Sequence, residues 1–182
     1  YGAIAVVKPD GDLYAWAGNP DLVTFMRSSA KPFQAVPLIE MDGLSRFQIS
    51  DQELAVICAS HSSTDTHLKV IHKLQTKIGV CEDDLLCCSH QPFDRGSRQK
   101  LRDLGLQPTP NYHNCSGKHT GMLAQVALLG VSKEGYSEID HPVQQGILEI
   151  FCKFCGLDPI NVQIARDGCS VPTFAVPLSK AA

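Results

Sequence analysis

The chain has 182 residues, of which 43% are hydrophobic and 19% are charged, and its formal net charge is −3. This composition predicts one domain with a sizeable core. A slightly acidic chain without a basic run argues against a nucleic-acid partner, and the lack of an apolar run of about 18 residues argues against a membrane span.

The cysteine content bears on the cellular compartment. Eight cysteines stand at positions 58, 81, 87, 88, 115, 152, 155 and 169. An even number is typical of small secreted domains with disulfides, but this chain is not small and shows no signal-peptide pattern. We therefore expect a cytoplasmic protein with reduced and mostly buried thiols. The spacing of Cys152 and Cys155 lacks the second half of a zinc site, so we interpret this pair as core.

The N-terminal part of the chain begins with strand patterns. Residues 3–7 and 13–17 are apolar runs on either side of an Asp-Gly turn, which predicts a β-hairpin. Residues 22–26 predict a third short strand. A short or kinked helix is expected from Ser28 to Ile39, because proline is tolerated in a first helical turn.

The middle and the end of the chain alternate helical and strand patterns. The run Leu54–Ala59 is apolar throughout, which predicts a strand covered on both faces, with Ser60 and His61 at its end. The stretch Val176–Ala182 predicts a helix that the end of the chain interrupts. Further helices are predicted at about 63–78, 95–104, 122–130 and 142–155, and a short strand at 162–165.

Ser28 and Lys31 form a Ser-x-x-Lys pair. Residues three apart share one face of a helix, so the hydroxyl and the amine are expected to meet. A serine becomes a nucleophile when a base takes its proton, and a lysine is such a base once burial or nearby positive charge lowers its pKa. Arg27 would supply that charge or bind a substrate carboxylate. The alternative is that Ser28 caps a helix and Lys31 is a solvated first-turn residue.

Ser60 is a candidate for a second reactive hydroxyl, because catalytic residues often follow buried strands in α/β proteins. The alternative is a turn or capping role. His61 is a candidate base, although a lone loop histidine is more often a hydrogen-bonded or surface residue.

Residues 113–121 are dense in polar chemistry at the start of a predicted helix. Gly117-Lys118 suggests a phosphate loop, but Tyr112 and His119 stand where that motif needs Gly and Ser or Thr, so nucleotide binding is rejected. Cys115, Lys118 and Cys169 are a candidate zinc set, with two buried thiols as the alternative. Asp167 is either a cation-binding residue or an ordinary turn aspartate.

These stretches together resemble the L-asparaginase II family, the rhizobial-type class of L-asparaginases. The resemblance rests on four motifs in family order, at residues 27–40, 59–62, 113–124 and 167–178. It implies a serine β-lactamase-like α/β (α+β) fold, with a largely antiparallel sheet covered by helices. It implies hydrolysis of L-asparagine to L-aspartate and ammonia, and a homodimer.

The resemblance also assigns roles to residues. It makes Ser28 the nucleophile, Lys31 its base and Ser60 an auxiliary catalytic serine. The resemblance also implies a bound zinc ion, which assists substrate binding and positioning rather than supplying the attacking group. The metal ligands would be Cys115, Lys118 and Cys169, and the substrate contacts Arg27 and Asp167, with His119 nearby.

Two departures and the length of the chain qualify this picture. The family usually has Gly-Glu where this chain has Ser63 and Thr64, and Gly where it has Ser170. Family members are also longer, and their second serine is paired with a lysine from the C-terminal part. We therefore expect residues 1–182 to form a single, C-terminally incomplete domain with little activity alone. The alternatives are another Ser-Lys amidohydrolase or β-lactam-binding protein of this fold, and an inactive zinc-binding fragment.

Overall fold

The computed structural model describes residues 1–182 and has a mixed α+β architecture. Its eight helices are α1 (Lys31–Glu40), α2 (Gly43–Arg46), α3 (Asp51–Cys58), α4 (Asp65–Ile78), α5 (Arg95–Asp103), α6 (Ser116–Leu129), α7 (Pro142–Cys155) and α8 (Leu178–Ala181). Its five strands are β1 (Ile4–Val7), β2 (Leu13–Ala17), β3 (Val23–Phe25), β4 (Gln163–Arg166) and β5 (Pro172–Pro177). The predicted α+β class is confirmed at this level.

The strands form two small antiparallel sheets. The hairpin of β1 and β2 pairs Ile4 with Ala17 and has a register shift between Val6 and Val7. The second sheet has the order β3-β5-β4, so the last strand of the chain lies in its centre. Pairing of Phe25 with Ala175 brings the end of β3, and the chain that follows it, beside the middle of β5.

Helix α6 is the centre of the molecule. Every residue from Ser116 to Val126 is buried, and the helix packs against α1, α3 and α4. Its neighbours approach closely because Gly117 lies against the backbone of Val56 and Gly121 against the side chain of Ile57. A helix that is buried on all sides can carry polar side chains only where they find partners. The polar residues at its start are therefore held in fixed positions.

The strand predicted at Leu54–Ala59 is wrong, because Leu54–Cys58 form the second half of helix α3 and Ala59 follows its end. A capping box starts this helix, since Ser50 Oγ accepts from the Glu53 N–H and the Glu53 carboxylate accepts from the Ser50 N–H. Glu53 is also paired with Lys77 at 2.6 Å. The apolar run reflects burial of one helix against α6 rather than a strand covered on both faces.

The prediction at the C-terminus also needs correction. Residues Pro172–Pro177 form the central strand β5, which the sequence patterns did not predict, and this strand includes the first two residues of the helix predicted at Val176–Ala182. Its residues 172–176 are all buried. The predicted terminal helix is reduced to the short α8, which begins at Leu178.

The other predicted elements agree with the structure. Thr64 caps α4 with a second capping box, and Pro142 occupies the first position of α7. Gly130 and Gly156 end α6 and α7 in the left-handed conformation expected of a C-terminal glycine. All eight cysteines are free thiols, and five of them are buried. None of the helices is long and apolar enough to span a bilayer.

Candidate active site

Lys31 lies at the centre of the candidate site and is 1% exposed. It is the first residue of α1, and its Nζ contacts three oxygens from two other segments. It lies 2.9 Å from Ser60 Oγ, 2.7 Å from the Ala59 carbonyl oxygen and 3.4 Å from the Asn114 carbonyl oxygen. The alternative of a solvated first-turn lysine is therefore wrong.

These contacts fix where the protons of Lys31 point. The two carbonyl oxygens can only accept, so two N–H groups of the amine are directed at them. The third direction faces the Ser60 hydroxyl, to which an ammonium donates and from which a neutral amine accepts. Burial lowers the pKa of Lys31, and the nearby Cys115 opposes this shift. The position is suited to a lysine that takes a proton from Ser60.

Ser28 occupies a different environment. It lies in a 3₁₀ turn from Arg27 to Ala30, is exposed and makes no side-chain hydrogen bond. Arg27 adopts a φ of 49°, a left-handed conformation that is uncommon for a residue with a side chain. The neighbouring Ser29 donates to the Met26 carbonyl at 2.6 Å. The structure thus joins Lys31 to Ser60 directly and leaves the Ser28 hydroxyl open to solvent.

The three residues of the candidate metal site lie close to one another and to Lys31. They are Cys115, Lys118 and Cys169. Lys118 Nζ is 2.9 Å from Cys169 Sγ, and all three side chains are buried. A hydrogen bond from the Cys115 thiol to the Cys169 sulfur is the main cause that lowers the pKa of Cys169. The same bond, together with burial, raises the pKa of Cys115. One thiolate is therefore stabilised between a thiol and a lysine.

The donors of this cluster fit a zinc ion. Two thiolate sulfurs suit zinc, a neutral amine is an unusual third ligand, and a fourth position would remain for water or substrate. No group of three or more His, Cys, Asp or Glu side chains in the molecule is arranged to hold a metal ion. A zinc site here would therefore depend on Lys118 as a neutral third ligand.

Arg27 and Asp167 form an ion pair beside the cluster. Their nearest atoms, Arg27 Nη2 and Asp167 Oδ1, are 3.0 Å apart, and the Arg27 side chain is 68% exposed whereas that of Asp167 is 11% exposed. The other carboxylate oxygen of Asp167 is 3.9 Å from Cys169 Sγ. The pair thus places one cationic and one anionic group at the edge of the site.

His119, which the resemblance places near the substrate, is buried in the interior of the protein. Its ring is fully buried, and Nδ1 is 2.7 Å from the Tyr136 hydroxyl. Because that hydroxyl oxygen accepts from the Leu86 N–H at 2.9 Å, its own proton is free to be donated to His119. Burial lowers the pKa of His119, and the nearby Cys169 opposes this shift. Its predicted contact with substrate stays a prediction.

The comparison with protein families agrees with the chemistry of these residues. The sequence model of L-asparaginase II matches residues 1–182, which is the whole chain. The chain belongs to the L-asparaginase II family. No curated protein matches it. The resemblance predicted from the four motifs is thus confirmed, and the family indicates an amidohydrolase of the asparaginase type.

Several residues of this L-asparaginase II site were not assigned from the sequence. Asn114 offers its main-chain carbonyl to Lys31, and His113 Nδ1 accepts from the Cys115 N–H at 3.0 Å. Tyr136 reaches His119 from a separate loop. A main-chain acceptor leaves no trace in residue type, and no spacing rule links Tyr136 to α6. Only the density of polar residues at 113–121 hinted at this part of the site.

Proposed function

We propose that this L-asparaginase II chain hydrolyses L-asparagine to L-aspartate and ammonia through a serine acyl-enzyme. The observation that carries the proposal is the buried Lys31 amine at 2.9 Å from Ser60 Oγ. A nucleophile and its base within hydrogen-bond reach are the minimum that covalent amide hydrolysis requires. Membership of the family, which indicates an amidohydrolase of the asparaginase type, supports asparagine as the substrate.

The reaction begins with proton transfer from Ser60 to Lys31. Ser60 Oγ attacks the side-chain amide carbon of asparagine as its proton passes to Lys31 Nζ. The carbon–nitrogen bond then breaks, and ammonia leaves with the proton returned from Lys31. In the second step water attacks the ester and gives a proton to Lys31, which passes it to Ser60 as the bond between carbon and Ser60 Oγ breaks.

Ser28 is the second candidate for the nucleophile, as the motif predicts. In the sequence Ser28 precedes Lys31 by three residues and directly follows Arg27, a member of the ion pair. In the structure no hydrogen bond joins Ser28 to Lys31, so attack by Ser28 would require one of the two side chains to turn first. The direct contact favours Ser60.

Arg27 and Asp167 are proposed to recognise the amino-acid part of the substrate. A guanidinium binds a carboxylate in a fixed geometry, and a carboxylate binds an ammonium. An α-amino acid presents both groups, so it would replace the internal ion pair with two ion pairs of its own. We therefore expect a free amino acid to bind better than an uncharged amide.

Zinc is proposed to bind at Cys115, Lys118 and Cys169. When bound, it would supply positive charge that helps to hold the substrate next to the nucleophile. The chain's own part is to keep the two sulfurs and the Lys118 amine close together in a buried position. A homodimer, also implied by the resemblance, belongs to the same proposal, and light scattering tests it.

The test measures ammonia release from asparagine by the protein at its natural length. Ser60→Ala and Lys31→Met should each lower turnover by about 10³-fold or more, with smaller changes in KM. Ser29→Ala is the matched control, because Ser29 bonds only to a local carbonyl. Glutamine and a chromogenic β-lactam serve as comparison substrates. Near-normal asparagine turnover by Ser60→Ala, or faster turnover of the β-lactam, would contradict the proposal.

A further inference from the structure

The segment that carries Ser60 is joined to the start of α6 by hydrogen bonds from His61 and Ser63. The His61 N–H donates to the Asn114 carbonyl at 3.3 Å, and His61 Nε2 is 2.8 Å from Ser116 Oγ. Ser63 Oγ donates to the Tyr112 carbonyl at 2.6 Å. Because Ser60 directly precedes His61, these bonds fix its place relative to α6.

The partners of His61 determine which nitrogen carries the proton. Nδ1 accepts from the Ser63 N–H at 3.2 Å, so it has no proton of its own. Nε2 therefore carries the proton and donates it to Ser116 Oγ. Ser116 in turn donates to the Asn111 carbonyl at 3.0 Å. Every polar group in this series has a partner, and none is left to act as a base.

The series of hydrogen bonds is anchored deep in the molecule. His61, Ser116 and Asn111 are at most 2% exposed. Asn111 Oδ1 accepts from Gln75 on α4 at 2.8 Å, and its N–H donates to Glu82 at 2.6 Å. A fully satisfied buried network of this kind holds its members rigidly.

The same segment holds Lys31. The Asn114 carbonyl that accepts from the His61 N–H is also 3.4 Å from Lys31 Nζ. The Ala59 carbonyl, on the other side of Ser60, is 2.7 Å from the same nitrogen. A shift of residues 59–61 away from α6 would therefore move the Ser60 hydroxyl and also remove a carbonyl oxygen that holds the Lys31 amine.

We infer that His61 is a positioning residue whose ring holds Ser60 in register with Lys31 through the hydrogen bonds to Ser116 and Asn111. It does not take part in proton transfer, since both ring nitrogens are engaged. The effect on catalysis rests on the proposed function, whereas the effect on the geometry does not.

The experiment tests the hydrogen bonds of the two ring nitrogens of His61 separately, with two substitutions. His61→Asn keeps an acceptor at the place of Nδ1 but has no group that reaches Ser116. His61→Gln places an amide N–H near the position of Nε2 and so can restore that bond. His141→Asn is the matched control, because Nδ1 of His141 also accepts from the N–H two residues later at 3.2 Å and its Nε2 donates to Ser132 at 2.9 Å.

We expect His61→Asn to lower kcat for asparagine by about 10²-fold with KM nearly unchanged, because a displacement of about 1 Å has that effect. His61→Gln should recover most of the loss, and His141→Asn should change neither constant. Crystal structures of the variants provide a second measurement that is independent of activity. In His61→Asn the distance from Lys31 Nζ to Ser60 Oγ should exceed about 3.5 Å, beyond hydrogen-bond reach.

A folded His61→Asn variant that retains the contact between Lys31 and Ser60, or that retains kcat within about twofold, would overturn the inference. Failure of the unsubstituted protein to release ammonia from asparagine would instead overturn the proposed function. In that case the distance in the crystal structures alone decides whether His61 positions Ser60.

Discussion

Two serines adopt a backbone conformation that favours glycine. The φ angles of Ser63 and Ser170 are 64° and 77°. Positive φ values favour glycine, because a side chain makes the left-handed conformation unfavourable. Ser63 is fully buried and its hydroxyl donates to the Tyr112 carbonyl, whereas the Ser170 hydroxyl makes no hydrogen bond.

We therefore predict that Ser170→Gly raises the free energy of unfolding by about 1 kcal/mol, because it relieves the left-handed strain without losing a contact. Ser63→Gly should bring no gain, since the lost hydrogen bond offsets the relieved strain. Denaturant unfolding measures both. Ser170→Ala is the control and should remain close to the parent. Equal gains from both glycine variants would contradict the role given to the Ser63 hydroxyl.

The cysteines of the site give a second prediction at this scale. Cys115→Ser/Cys169→Ser should abolish zinc binding, whereas Cys152→Ser, which removes another buried thiol, should not. Metal analysis of the purified proteins decides the matter. Zinc affinity should also decrease as pH falls, because protons compete with the metal for its ligand atoms. Equal zinc content in the double variant and the parent would refute the site.

At the scale of elements, the close contact between α3 and α6 depends on glycine. A Cβ at Gly117 would clash with the Val56 carbonyl oxygen, whereas nothing lies within 4 Å of a Cβ at Gly146 on α7. Gly117→Ala should destabilise the protein by several kcal/mol, on the order of other overpacked core sites, and weaken the Ser60 site as α3 moves. Gly146→Ala should stabilise it by about 0.5–1 kcal/mol. Thermal unfolding tests the opposite signs.

The start of α3 gives a prediction on pH. Burial alone would raise the pKa of Glu53, but hydrogen bonds from Lys77 and Ser50 outweigh it and lower the pKa below its usual value. A lowered carboxyl pKa contributes stability above the pKa of the unfolded chain, and this contribution is lost as pH falls through the folded value.

The parent should therefore lose more unfolding free energy between about pH 7 and about pH 3 than Glu53→Gln, which has no charge to titrate. Asp65→Asn is the comparison, because its ion pair with Lys100 is exposed and worth little. Parallel pH profiles for the parent and Glu53→Gln would contradict this account of the helix start.

Sequence patterns predicted most elements but failed at two that are central to the site. The hairpin of β1 and β2 and the ends of α4 and α7 follow from local turn and capping residues, which act over a few positions. Helix α3 was mistaken for a strand because its apolar run is short and buried, a case that periodicity cannot resolve. Strand β5 depends on pairing with β3, about 150 residues earlier in the chain, which no local pattern reveals.

The same distinction applies to the site residues. The gathering of Cys115, Lys118 and Cys169 was predicted through the family motifs, and the structure places them in contact. The partner of Lys31 was not predicted, because spacing along a helix pointed to Ser28, while Ser60 reaches Lys31 from the end of another helix. Contacts between distant segments require the packing of α3, α1 and α6.

At the scale of the whole molecule, four segments converge on one site. The start of α1, the end of α3, the start of α6 and the loop before β5 are brought together by packing around the buried α6. Lys31 and Ser60 meet between the first and second of these segments, Lys118 and Cys169 between the third and fourth, and Arg27 and Asp167 between the first and fourth.

Covalent labelling tests the central claim, that Lys31 activates Ser60, most directly. The protein is treated with a diazoketone analogue of L-asparagine, and the modified peptide is identified by mass spectrometry, with Lys31→Met as the control. The account predicts that the label is found on Ser60, that asparagine protects against it and that Lys31→Met abolishes it. A label on Ser28, or one on Ser60 that persists in Lys31→Met, would contradict the account.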